Sequence, residues 1–216
     1  MTDIIESLIR KGKGYPDNLK QLSDCPERLF IKGEIKKSDN LAIAIVGTRL
    51  MTGYGKRVAW RFSYELAKVG ITIVSGLARG IDTVAHEAAI AAGGRTIAVL
   101  GNGLNIVYPP ENKNLFNRII KSGAVISEFP PGTKPFGKNF LARNRIIAGL
   151  SKAVLVVEGR KKSGTLSTAT YAANYGREVF AIPGPIDSPF SEAPLWLIEN
   201  GARIATKPED ILDSLF

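Results

Sequence analysis

From Leu41 onward the chain alternates short, continuously apolar runs with segments of helical period, and this alternation constrains it more than any other feature. The apolar runs are Leu41 to Val46, Ile71 to Val74, Thr96 to Leu100, Ala124 to Ser127, Ala153 to Val157 and Val179 to Ile182. Between them lie Gly55 to Val69, Asp82 to Ala92, Glu111 to Lys121, Asn139 to Leu150 and Thr165 to Tyr175. A strand apolar along its whole length needs cover on both faces, and parallel neighbours need crossovers about as long as these helices. The pattern predicts an α/β domain of extended Rossmann-like, doubly wound type, with a mostly parallel sheet and helices on both faces. After Gly184 it predicts a Pro-rich loop, a short helix around Leu195 to Glu199, a last strand at Arg203 to Ala205 and a terminal helix from Pro208.

Residues 1–40 lie outside the alternation and are expected to form a lead-in segment packing on the sheet domain of residues 41–216. The lead-in holds an amphipathic segment, Ile4 to Arg10, a helix-sized stretch around Leu19, Leu22 and Leu29, and an edge-type strand within Leu29 to Ile35. Covering a sheet edge or face is its expected task. The single cysteine, Cys25, can form no internal disulfide, and Asp3 and Glu6 interrupt what would be a signal-peptide core. No apolar run approaches membrane-spanning length, so a cytoplasmic protein without membrane contact is expected.

Net charge is +9, and its distribution matters more than its total. Residues 1–40 hold eight basic and seven acidic side chains, so the excess belongs to the glycine-rich remainder. From Glu128 to Thr168 there are eight basic residues against two acidic ones, a concentration that favours a polyanionic partner. In a parallel sheet the loops after each strand share one edge. They bring together Gly47-Thr48-Arg49, Ser75-Gly76 with Arg79-Gly80, Gly101 to Gly103, Pro130 to Asn144, and Gly159 to Thr165. Glycine, backbone N–H groups and arginine at one edge are the donors a phosphate needs.

Familiar phosphate chemistries are excluded one by one. The first loop lacks G-x-G-x-x-G and the second strand ends in Ser75-Gly76 rather than an acid, which argues against a nicotinamide or flavin cofactor. Gly159 and Gly164 have P-loop spacing, but Thr165 and Leu166 stand where the lysine and the magnesium-binding hydroxyl belong. Ser163-Gly164-Thr165 is instead a good helix start. One histidine, His86, supports neither a proton relay nor a metal cluster. Asp82 and His86, one turn apart, are expected to be a helix cap and a buried histidine satisfied by it. Arg143 and Arg145 diverge on a regular helix, so one is expected to bind a buried acid such as Glu158 or Glu128 and the other to face phosphate. Phe136 and Phe140 are the nearest candidates for stacking on a base, with Tyr54 and Tyr108 further off.

VSGLARGID followed by AH, IAVLGNGL, YPPEN, ISEFPPG, FLARNRIIAGLS, VVEG with SGTLSTA, and FAIPGPI occur in this order, after a lead-in carrying YPDNL and CPERLFIKGE. In this succession the chain resembles the DNA-processing protein A family (DprA, also called Smf) from about Tyr15 to about Ala202. The resemblance implies a non-catalytic, typically dimeric protein. Such a protein binds and protects single-stranded DNA and helps load a RecA-type recombinase in natural transformation. It implies a basic pocket carried by Arg49, Lys138, Arg143 and Arg145, with Phe140 and Asn144 in the same FLARNR segment and a phosphate cradle at Ser163, Gly164 and Thr165. Ser75, Gly76, Arg79 and Gly80 are expected to form one wall of the shared pocket, to which Gly47 and Thr48 also belong, with Arg49 opposite the loop before Arg143. The family's usual G-x-N-x-L-I appears as Ala193-Pro194-Leu195-Trp196-Leu197-Ile198. A related fold serves nucleoside-monophosphate phosphoribohydrolases, whose G-G-x-G-T-x-x-E motif has its catalytic glutamate where Thr168 stands here, which argues against that enzyme activity.

Overall fold

The computed structural model describes residues 4–215. The strands are β1 (Glu6–Ile9), β2 (Arg28–Gly33), β3 (Ala42–Val46), β4 (Thr72–Ser75), β5 (Thr96–Leu100), β6 (Gly123–Ser127), β7 (Ala153–Val156), β8 (Glu178–Ala181) and β9 (Arg203–Ile204). They form one sheet in the order β1-β2-β6-β5-β4-β3-β7-β8-β9, parallel from β6 to β9. The helices are α1 (Asp17–Lys20), α2 (Gly53–Lys68), α3 (Ile81–Ala91), α4 (Lys113–Ser122), α5 (Gly137–Leu150), α6 (Gly164–Asn174), α7 (Glu192–Glu199) and α8 (Glu209–Leu215).

Each central strand serves two cores, because successive side chains point to opposite faces. Ile43 and Ile45 of β3 pack with Phe62 and Leu66 of α2 and Val84 of α3. Ala42, Ala44 and Val46 face the other way, toward Ile146 and Ile147 of α5 and Ala169 of α6. A third cluster joins Leu115, Phe116 and Ile119 of α4 to Ala98, Leu100 and Val125. The expected doubly wound sheet is therefore present, and its long helices begin and end within two residues of the sequence pattern. On α5 the start is Gly137, so Lys138 to Arg145, expected partly in a loop, lie on a helix.

The lead-in differs from expectation. Ile4 to Arg10 contains a strand, β1, and β2 is not an edge: it lies between β1 and β6, antiparallel to both. The alternation in β2, with Leu29 and Ile31 buried between more exposed neighbours, sets only which face meets the core, and β2 is internal because β1 pairs along its outer edge. Residues of the lead-in thus extend the sheet rather than merely cap it.

Asp39, 6% exposed, fastens this extension to the parallel strands. Its carboxylate accepts from Arg95 Nε (2.7 Å) and Nη2 (2.8 Å), from Thr72 Oγ1 (2.7 Å) and from the Lys36 N–H (2.7 Å). Removing the carboxylate leaves the partly exposed Arg95 guanidinium with only the Glu34 carbonyl and the buried Thr72 hydroxyl without its acceptor, which costs about 1–3 kcal/mol. Asp39→Ala is expected to lower the urea midpoint accordingly, with little change in far-UV circular dichroism before unfolding.

The chain leaves β3 toward β4 on one side, while β7 lies on the other. This reversal of winding is a topological switch point, where the loops after β3 and β7 diverge and open a crevice at the carboxyl edge.

Candidate functional site

A cleft of about 610 Å³ occupies that crevice. Its first wall is the loop after β3. The Thr48 N–H donates to the Glu158 carbonyl (2.7 Å), and the Thr48 carbonyl accepts from the Ile81 N–H (3.2 Å), so the loop is tied to both neighbouring loops by its backbone. Gly47 is needed for this fit, since a Cβ there would lie 2.6 Å from Ile81 Cγ1. Thr48 Oγ1 accepts from the Leu50 N–H (3.1 Å), which leaves Arg49 exposed at the rim.

Glu158 organises the next turn. Its carboxylate accepts from the Thr52 N–H (2.9 Å) and Thr52 Oγ1 (2.5 Å), and Thr52 Oγ1 caps α2 by accepting from the Gly55 N–H (3.1 Å). Glu158 therefore binds no arginine. The sequence signal for this role was Gly55, a glycine inside a helix: any Cβ there would collide with the Glu158 carboxylate.

The cleft floor holds Arg143 and Asp82, each 5% exposed. Arg143 donates through Nη1 to the Val99 carbonyl, and its guanidinium lies against Gly76, where a side chain would collide with it. Burial pushes its pKa down to about 10, Asp82 opposes that shift and Arg49 adds to it, so the group stays cationic at neutral pH. Asp82 accepts from the N–H groups of Gly76 (3.1 Å) and Ala78 (3.4 Å); burial raises its pKa while Arg143 lowers it.

His86 is not satisfied by Asp82. Its Nδ1 lies 2.6 Å from Thr96 Oγ1, and Thr96 Oγ1 gives its own hydrogen to the Ile73 carbonyl (2.7 Å), so Nδ1 carries the proton and donates. Both residues point to structure, each through a partner other than the one expected: Asp82 fixes the turn before its helix, and His86 ties α3 to β5.

Arg145 pairs with Glu128 at 2.6 Å, both side chains largely buried, and lines no part of the cleft. The divergence of the two arginines is thus resolved, with Arg145 held by an acid and Arg143 on the floor. Asn144 lines the cleft and its Nδ2 donates to the Gly164 carbonyl (3.1 Å), which joins α5 to the start of α6. Ser163, Gly164 and Thr165 form the opposite wall. At the start of α6 the Leu166 N–H donates back to the Ser163 carbonyl (3.3 Å), while helix geometry orphans the N–H groups of Gly164 and Thr165, which no side chain of the described residues caps.

Phe140 stands at the mouth, stacked on Tyr108 with ring centroids 5.6 Å apart, and the Arg49 guanidinium carbon lies 5.6 Å from the Phe140 centroid. Gly101 gives the ring its seat, because a Cβ would come within 2.6 Å of Phe140 Cδ1. Tyr108 was expected to be distant, and its contact is made by the fold alone. Lys138 is exposed on the first turn of α5, beside the cleft-lining Gly137.

The expected wall of Ser75, Gly76, Arg79 and Gly80 is divided. Gly76 and Arg79 line a small recess that shares Arg49, Tyr108, Phe140 and Arg143 with the main cleft, and Arg79 is paired with Glu111. Ser75 is fully buried and donates to the Ile45 carbonyl (2.7 Å). Gly80, at φ +76°, packs on the backbone of Thr48 and Arg49, where a Cβ would overlap it. These two shape the loops and do not face the cleft.

Among the described residues, Asp82 is the single carboxylate of the lining, and no group of three metal-ligating side chains occurs. Thr168 lines the wall, 2% exposed. No helix of the described residues is long and apolar enough to cross a membrane.

Burial holds the His86 pKa near 3, against about 6.5 in an unfolded chain. Between those values the unfolded chain binds a proton that the folded one does not. Stability therefore falls as pH drops from about 6.5 toward 3, by up to ~1.4 kcal/mol per pH unit from this group. Asp82, with its raised pKa, acts in the opposite sense. His86→Gln removes only the histidine contribution, so chemical denaturation at several pH values is expected to show a shallower acid loss in the variant.

Residues 6–216 match the family model described as DNA recombination-mediator protein A. The Smf protein of Escherichia coli strain K12 is 50% identical over 93% of this chain, and the chain spans 54% of that protein. Among solved structures, DNA processing protein A of Streptococcus pneumoniae superposes with a TM-score of 0.91 at 40% identity, covering 98% of this chain and 74% of that one. DNA processing protein A of Helicobacter pylori, a structure concerned with its mode of binding single-stranded DNA, gives a TM-score of 0.87 at 32% identity, covering 98% and 95%.

Proposed function

Because the chain belongs to the DNA recombination-mediator protein A family, we propose that its cleft binds single-stranded DNA by the phosphates and performs no chemistry on it. One observation carries this reading: the lining offers Arg49, Arg143 and the uncapped start of α6, while its single carboxylate, Asp82, is already committed to two backbone N–H groups. Such a surface attracts phosphate and lacks a free acid or base to attack it. The single-stranded DNA bound by the Helicobacter pylori relative supports the same ligand here.

Cationic groups and backbone donors contact phosphates without distinguishing bases, so binding is sequence-tolerant, with Phe140 offering a face for stacking. Arg49, Lys138 and Arg143 are the cations of the site, with Ser163, Gly164 and Thr165 as cradle. Arg145, Ser75 and Gly80 act by shaping it. In the cell, the protein takes part in DNA processing during transformation as a cytoplasmic homodimer that passes its strand to a RecA-type recombinase. In this reading residues 41–216 carry the DNA and residues 1–40 brace the sheet.

Oligothymidylate binding followed by fluorescence anisotropy tests the site. Affinity is expected to fall with salt, each phosphate contact contributing about 0.7 to the slope of log K against log[salt]. Arg49→Ala with Lys138→Ala is expected to weaken binding and reduce the slope by about 1.4, twice that value. Unchanged affinity and slope would refute the assignment.

A phosphoribohydrolase needs a carboxylate where Thr168 stands in the wall. Incubation with adenosine monophosphate is accordingly expected to release no adenine, measured by chromatography.

A further inference from the structure

Helix α2 begins at the cleft rim, one residue after its cap Thr52 and four after Arg49. As the crossover between two parallel strands, it runs back along the side of the domain, away from the carboxyl edge. Its inner face carries Ala59, Phe62 and Leu66 into the core. Its outer face is unusual. At 100° per residue, Lys56, Trp60, Tyr64, Arg57, Lys68 and Arg61 fall within an arc of about 140°.

Four cations and two aromatics share this arc, and the nearest acid, Glu65, lies beyond its border. None of the four cations makes an ion pair or a side-chain hydrogen bond with a described residue, and Trp60 is 40% exposed. A partly exposed tryptophan among unpaired cations combines an amphipathic ring with positive charge. It suits a ligand that presents phosphates and flat apolar rings together.

We propose that the outer face of α2 is a second contact surface for single-stranded nucleic acid, continuing the strand out of the cleft over Leu50 and along about 18 Å of helix. Lys56, Arg57, Arg61 and Lys68 take successive phosphates, and Trp60 and Tyr64 stack on bases between them. The inference rests on the cleft reading for its starting point. An acidic polypeptide would satisfy the cations but would leave the two aromatic faces without a partner, so nucleic acid is favoured.

The test compares oligothymidylates of about 6 and about 20 nucleotides, the shorter filling the cleft and the longer reaching α2. In the Trp196→Phe protein Trp60 is the remaining tryptophan. Its emission is expected to be quenched by the longer strand and unaffected by the shorter. Combined Lys56→Ala, Arg57→Ala, Arg61→Ala and Lys68→Ala is expected to weaken the longer strand at least about tenfold and reduce its salt slope by up to about 2.8, four times 0.7. Affinity for the shorter strand is expected to remain, which also reports that the variant is folded. Equal binding of both strands by variant and wild type, or unchanged Trp60 emission, would overturn the second surface and leave the cleft reading intact. Failure of the wild type to bind either length would overturn both. Poly-glutamate competing at α2 where the longer oligonucleotide does not would assign the face to an acidic protein and overturn the nucleic-acid proposal.

Discussion

A parallel sheet buried on both faces has only its strand ends left for polar chemistry, and the cleft of this molecule follows from that constraint. β3 and β7 are covered by α2 and α3 on one side and by α5 and α6 on the other, so no ligand reaches their faces. At their carboxyl ends the chain turns in opposite directions, and the crevice opens where the helices part. The same geometry aims the start of α6 into that crevice, which supplies uncapped N–H donors without any special residue.

The floor of the cleft is an electrostatic compromise. A buried guanidinium and a buried carboxylate each incur a desolvation cost that their mutual attraction only partly returns. Here both are also held by backbone: Arg143 by the Val99 carbonyl, Asp82 by the N–H groups of Gly76 and Ala78. The arrangement keeps the Arg143 guanidinium cationic and holds the Asp82 carboxylate on backbone donors. Arg145, two residues along the same helix, shows the alternative fate of a basic side chain. It meets Glu128 on the far side of α5 and its charge is cancelled locally.

Much of this was legible in the amino-acid order. The strands and long helices follow from the alternation of apolar runs, and Arg49, Phe140 and the start of α6 could be placed at one edge by counting strands. The partners were not legible. Tyr108 reaches Phe140, and Thr96 reaches His86, across distances in sequence that no local period encodes. Ser75 and Gly80 looked like wall residues because they sit in the right loop, yet one points into the sheet and the other is consumed by packing on Thr48 and Arg49. The lead-in misled for a related reason: whether a short alternating segment is an edge depends on whether another strand pairs outside it, and β1 does.

The sequence by itself determined the class of fold, the common edge of its loops and the excess of positive charge there, because hydrophobic period and composition are local properties. Only the tertiary structure decided which cations remain available. Arg143 and Arg145 are the same residue type two positions apart, and the direction each takes from the helix, toward a crevice or toward a glutamate, is what separates a floor residue from an ion pair. The outer face of α2 was decided in the same way: its lysines, arginines and aromatics are scattered in the linear order and become a stripe only when the helix is wound and its other side is buried.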